Sequence, residues 1–355
     1  MNKTKHGTWQ WLARLIFCLA VLLLMVWGAM ALWLQLPQQP VALWLVRWIA
    51  MALWIAAGLA MLAALTGLFK GKRRARSLAT ILFASAIVIM ASWWSGVQPS
   101  HQRLWADDVA QLLESNVDGS WVHLKNVRNF EWRSETDYDP RWEKRSYNLE
   151  SLRTADLVLS YWMGPHIAHT LVSFGFDDGE QLVFSLEIRK ERQENFSAIA
   201  GFFRQYEQVL VAADERDILK TRSNTRGENV YLYRLKMKPA QVRDLFVAYL
   251  QAAKELRNTP RFYNSLTGNC TTVVFELGRV IAPDLPLDYR LLLSGHFAEY
   301  AHDLGVLTPG YSFLELQSLG YINQRALESN ISGLDFSISI RQTVPGVKVL
   351  NYPQK

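Results

Sequence analysis

Three apolar stretches, Trp11–Leu34, Val41–Phe69 and Ser77–Ser95, constrain everything else in this 355-residue chain. Each is near or above the roughly 20 residues that a helix needs to cross a bilayer. Residues 1–97 hold nine Lys/Arg and no Asp/Glu, whereas the remainder holds 29 Lys/Arg against 32 Asp/Glu. The net charge of +6 therefore divides into +9 and −3. It reports the flanks of membrane spans and gives no basic face for nucleic acid. The first run is too long for a signal-peptide core and two more spans follow it, so it is expected to be retained. Nine of the 14 tryptophans lie in this third, several at run ends (Trp9, Trp33, Trp93, Trp94), where interfacial belts form. Lys3 and Lys5 precede the first span, the loop Leu36–Pro40 is uncharged, and Lys70–Arg76 separates the second span from the third. The positive-inside rule then puts the N-terminus and the basic loop in the cytoplasm and everything after Gly96 outside the membrane. Arg14 and Arg47, near span ends, are expected to snorkel.

The chain divides into a three-helix anchor (1–97), a juxtamembrane linker helix (98–116) and a folded domain (117–355). The linker expectation rests on Leu104, Trp105, Val109, Leu112 and Leu113, which recur at helical spacing within His101–Ser115. From Trp121 the pattern turns to short strands, Trp121–Val127 and Phe130–Arg133, then a polar, aromatic-rich loop through Tyr147. Leu157–Trp162 is a further strand. Asn229–Met237 is another, and Pro239 opens a helix to about Arg257. Strand-like pieces recur around Ser337–Ile340. The domain is thus α+β. Arg216, Arg222 and Arg226 in Asp214–Arg226 read as a solvated charged face in preference to an anion site.

Ala168–Arg189 is the clearest hairpin, two alternating runs joined by Asp177-Asp178-Gly179. Three unpaired loop residues set Val172 opposite Phe184 and Phe174 opposite Leu182, so the apolar faces coincide. A register shifted by one sets apolar against polar positions. The same register puts His169 across from Glu187, within reach for a carboxylate to hold an imidazole.

The polar loop Tyr263–Gly268 runs into an apolar-periodic helix starting at Cys270 and ending near Pro283. Asn269 is a good N-cap, and Cys270, Val273, Val274, Leu277 and Ile281 follow helical spacing. A thiol in a first helical turn has its pKa lowered by free backbone N–H groups and the helix dipole. Cys18, inside an apolar run, is its sole companion and no plausible disulfide partner. Cys270, His169 and Glu187 together supply a nucleophile, a base and an orienting acid. Backbone N–H groups at the helix start, with the Tyr263 hydroxyl, are placed to stabilise an oxyanion. No metal or cofactor is called for. On a strand, His166 and His169 point to opposite faces, and His296 and His302 lack a Cys or acid at ligand spacing. A Gly-x-Ser-x-Gly elbow, a phosphate loop and a dinucleotide fingerprint are all missing from the sequence.

The order His169, Glu187, Asn269-Cys270-Thr271-Thr272 resembles the circularly permuted NlpC/P60 papain-like group. Asn126–Phe130, Gly164–His169, Ser173–Phe176, Ser185–Arg189 and Tyr263-Asn264 with Asn269–Thr272 look more closely like the Lnb-type N-terminal periplasmic domain family, over roughly 117–300. That resemblance implies a permuted NlpC/P60 papain-like domain in the periplasm of a bacterial inner-membrane protein. It implies lipoprotein N-acyltransferase activity through a Cys270 thioester, with membrane lipids and lipoproteins as partners. A cell-wall amidase or peptidase and a non-catalytic receptor are the alternatives.

Overall fold

The computed structural model describes residues 3–37, 40–332 and 335–347; Gln38 and Gln39 of the first interhelical loop lie outside them. The chain forms two compact units, one of Met1–Pro99 with Ser197–Gln205, the other of Ser100–Phe196 with Tyr206–Lys355.

The first unit contains α1 (Lys3–Gln35), α2 (Val41–Thr66) and α3 (Arg73–Gly96). All three are long and apolar enough to cross a membrane, with spans at Trp9–Gln35, Val41–Thr66 and Arg73–Gly96. Helices α1 and α2 approach closely because two glycines leave room. A Cβ at Gly28 would lie 2.4 Å from the Trp54 ring, and one at Gly58 would lie 2.3 Å from Met25. The Trp54 indole also donates to the Met25 carbonyl at 3.0 Å. Arg47 does not snorkel as the sequence suggested. It is 1% exposed, with its guanidinium 3.6 Å over the Trp33 ring, where the aromatic face offers a cation an alternative to water.

The second unit is built on an eight-stranded sheet. Its strands are β1 (Glu114–Asp118), β2 (Trp121–Arg128), β5 (Trp142–Asn148), β6 (Leu152–Tyr161), β7 (Ala168–Phe176), β8 (Gln181–Arg189), β9 (Glu207–Ala213) and β10 (Asn229–Arg234). The short pair β3 (Glu131–Trp132) and β4 (Tyr138–Asp139) stands apart. The order is β1-β2-β9-β8-β7-β6-β10, with β5 also on β2. Pairing is antiparallel except at the parallel bridge of Arg128 with Ala213. Helices α5 (Pro239–Asn258) and α6 (Cys270–Ile281) cover one face, against Val172, Phe174, Leu182, Phe184 and Leu186. The residues between them, Leu171 and Val183, join Val209 and Val211 on the other face. There they meet α4 (Glu215–Lys220), α9 (Asn323–Ser332) and α10 (Phe336–Ile340). Helices α7 (Phe297–Asp303) and α8 (Phe313–Gly320) complete the unit.

The hairpin register is the expected one, with Val172 opposite Phe184 and Phe174 opposite Leu182. Gly179 takes φ 91°, which the short loop requires. Elsewhere tertiary contacts override local pattern. The linker 98–116 is not a helix: it holds a single 3₁₀ turn at Asp107–Val109 and then enters β1. Its backbone bonds to the extension of β8 instead, Ala106 N to Lys190 O at 2.9 Å and Arg192 N to Leu104 O at 2.9 Å. Trp105 is buried under the Arg189 guanidinium, 4.4 Å from the ring centre. Trp142–Asn148, read as loop, is an edge strand, its polar alternation suiting an exposed position. Strand β9, which the sequence reading did not identify, is buried along its whole length and so has no period-two signature. Phe336–Ile340 is helical where strand was expected, capped by the Asp335 carboxylate, which accepts from Ser337 N at 2.9 Å.

Candidate active site

Helix α6 begins where it was expected because its cap is fully formed. Asn269 Oδ1 accepts from Thr272 N at 2.9 Å, and Asn269 N donates to Thr272 Oγ1 at 2.9 Å. Asn269 Nδ2 also donates to Ser265 O at 2.9 Å. Asn269 thus fixes the entry of the loop into the helix, with both ends of its amide engaged in doing so. Thr271 and Thr170 hydroxyls meet at 2.8 Å, both buried, pinning the helix start to β7.

That contact lies where the sheet opens. The ladder between β7 and β8 ends at Leu171 opposite Ser185, so His169 and Glu187 are not a ladder pair. The Thr170 N–H points instead at Cys270 Sγ, 3.5 Å away. His169 and Glu187 still meet, Nε2 to Oε1 at 3.2 Å, through side chains leaning across the split. Ser185 Oγ bridges them, 2.7 Å from each. With Nε2 so engaged, Nδ1 is the nitrogen left for the thiol, and the two groups lie near enough to shift each other's titration.

Cys270 is 6% exposed, and burial works against its thiolate. The charge and hydrogen bond of His169, with the Thr170 N–H, outweigh that and lower the thiol pKa below its ordinary value. Burial and the charge of Arg222 oppose protonation of His169, but the Glu187 carboxylate and the Cys270 sulfur prevail and raise its pKa to about 9. Burial would raise Glu187; His169 and Arg222 hold it well below the usual carboxylate range. All three shifts run toward the charged forms, thiolate, imidazolium and carboxylate. Burial and the negative charges of Cys270 and Glu187 push the Tyr263 phenol upward, opposed in part by the nearby Cys270 backbone N–H. A phenol kept neutral this way retains its own proton as a donor next to the sulfur.

The structure thus brings all five predicted residues, Cys270, His169, Glu187, Tyr263 and Asn269, to one place. It adds a layer the sequence reading missed. Arg222, expected on a solvated face, is buried, with Nη2 on Glu187 Oε1 at 2.9 Å and Nη1 on Glu228 Oε2 at 3.2 Å. Ser160 donates to the same oxygen of Glu228. Ser185 carried a readable signal, since it lies two residues from Glu187 on one strand face. Arg222 carried none. His166 turns away to His296, Nδ1 to Nε2 at 2.8 Å, and His296 Nδ1 also meets Glu299 at 3.2 Å, an acid three residues along that the sequence reading passed over.

Residues 138–295 match the family model of the Lnb N-terminal periplasmic domain. This confirms the family resemblance over a shorter stretch than 117–300, leaving the Asn126–Phe130 motif outside the match. No curated protein and no solved structure gives a match.

Proposed function

We propose that the protein, whose residues 138–295 match the Lnb N-terminal periplasmic domain model and follow three helices long and apolar enough to cross a membrane, is a thiol-dependent acyltransferase related to the permuted NlpC/P60 group. It moves an acyl group from a membrane lipid to the amino terminus of a lipoprotein. The observation that carries this reading is the Cys270 sulfur, set between the Thr170 N–H and an imidazole held by Glu187. The thiolate attacks the carbonyl carbon of a lipid ester, the C–S bond forms, the C–O bond breaks, and the departing oxygen takes the proton of His169. An incoming amine then attacks the thioester, C–N forms, C–S breaks, and His169 receives the amine proton. The Tyr263 hydroxyl donates to the carbonyl oxygen as charge develops on it.

Mass spectrometry of Cys270 after incubation with native membranes tests the reaction. The expected result is an acyl adduct that hydroxylamine removes. Muropeptide fragments on the thiol would replace this reading with amide cleavage in the cell wall. The reading also places the N-terminus in the cytoplasm. A reporter fused after Lys72 is expected to be active on the cytoplasmic side alone, and one after Gln98 on the outside alone; the opposite pattern refutes the topology.

A further inference from the structure

Between β8 and β9 the chain leaves the sheet, and Ser197–Gln205 forms one compact unit with the apolar helices. Three contacts fix it at the ends of α1 and α3. Gln35, the last residue of α1, donates through Nε2 to the Phe203 carbonyl at 2.8 Å. Arg204 Nη1 donates to the Trp94 and Val97 carbonyls, at 2.9 Å and 3.2 Å, at the last turn and C-cap of α3. The Arg204 guanidinium also lies 4.7 Å over the Trp94 ring. Helices α1 and α3 end on the same side, the side from which the chain continues into its periplasmic domain. Tryptophan and arginine at such a level belong to the lipid headgroup zone.

The loop's composition suits that level. The charged run Arg189–Glu194 gives way at Phe196 to Ser197-Ala198-Ile199-Ala200-Gly201-Phe202-Phe203, with no charge before Arg204. Phe203 and Ala200 turn inward and are buried, whereas Ile199 is 55% and Phe202 43% exposed. Two large apolar side chains left open beside membrane spans, on a loop bonded to the ends of those spans, have one occupant continuous with the rest of the unit, the lipid.

We infer that Ser197–Gln205 is a membrane-dipping loop, with Ile199 and Phe202 entering the periplasmic leaflet and Arg204 holding the loop at headgroup depth. This holds whether or not Cys270 forms a thioester, because it rests on the helical unit alone. The loop makes the crossing between the strand carrying Ser185 and Glu187 and strand β9 a second attachment to the bilayer, independent of the three spans.

The test uses the full chain, in a Cys18→Ser/Cys270→Ser background, reconstituted in phosphatidylethanolamine–phosphatidylglycerol vesicles. Nitroxide labels are placed singly by Ile199→Cys and Phe202→Cys. Controls are Ile89→Cys on an outward face of α3 and Leu287→Cys, at 69% and 82% exposure. Labels at 199 and 202 are expected to collide preferentially with dissolved oxygen, as at 89, with at least a tenfold lower preference for a water-soluble nickel chelate than at 287. Chelate accessibility equal to that at 287 overturns the proposal. So does spin–spin broadening between copies, which assigns the surface to a second chain. Two independent label positions keep the test decisive if one variant misfolds.

Discussion

Cys270→Ser and His169→Ala are each expected to lower acyl transfer by roughly 10³-fold or more while leaving the fold intact, because thiolate and imidazole act as one unit. Glu187→Gln is expected to cost less, on the order of 10²-fold, since Ser185 Oγ remains 2.7 Å from His169 Nε2 and preserves the ring's orientation. His166→Ala serves as the control, its ring being engaged by His296. Near-normal turnover in His169→Ala together with a dead His166→Ala refutes the assignment. The pH profile carries the same logic. Activity of the wild type should rise at pH values below the ordinary thiol range, because the Cys270 pKa is lowered, and fall as His169 loses its proton near its pKa of about 9. Glu187 favours the charged ring, so Glu187→Gln must move the alkaline limb downward. The stability contribution of His169 has the same sign. Its pKa is raised on folding, so the contribution is fully present below the unfolded value and is lost as pH rises through about 9. Glu187 runs the other way, contributing above the ordinary carboxylate pKa and losing it as pH falls.

Arg341→Ala is expected to destabilise the fold by about 3–5 kcal/mol, because it strands buried carboxylates. Arg341 Nε bonds Asp156 Oδ2 at 2.9 Å, and Nη1 and Nη2 bond the two oxygens of Glu215 at 2.7 Å and 2.6 Å. Asp156 and Glu215 are both fully buried. Asp156 keeps Arg234 when Arg341 is removed, but Glu215 keeps only the Ser173 hydroxyl among its described hydrogen bonds. At about 2–4 °C per kcal/mol, the full chain in detergent should lose roughly 10 °C of Tm. Arg341→Lys should rescue little, since an ammonium cannot reach both carboxylates with a planar fork. A loss of under about 1 kcal/mol would contradict this reading of the network. The expectation also says what the segment beyond the family match does: it lays a guanidinium against the sheet face opposite α6 and closes the second core with Phe336 and Ile340.

Three things were determined by the sequence alone, and each is a local property. Spans follow from apolar length and charge asymmetry. The hairpin register follows from matching period-two faces across a loop whose length is known, which is why Val172–Phe184 and Phe174–Leu182 were readable. The start of α6 follows from an N-cap whose partner sits three residues along, Asn269 and Thr272. These bring Cys270, His169 and Glu187 within reach of one another. What only the tertiary structure decided concerns groups whose neighbours are distant in the chain. Arg222 looked solvated because nothing within a helical turn of it announces Glu187, 35 residues away. The linker near Trp105 looked helical because its spacing is helical, yet its backbone bonds and its indole are satisfied by the end of β8. Ser197–Gln205 read as part of the periplasmic domain, while its hydrogen bonds run to Gln35, Trp94 and Val97. Periodicity fixes which face of an element is apolar; only packing fixes what that face, or a buried charge, meets.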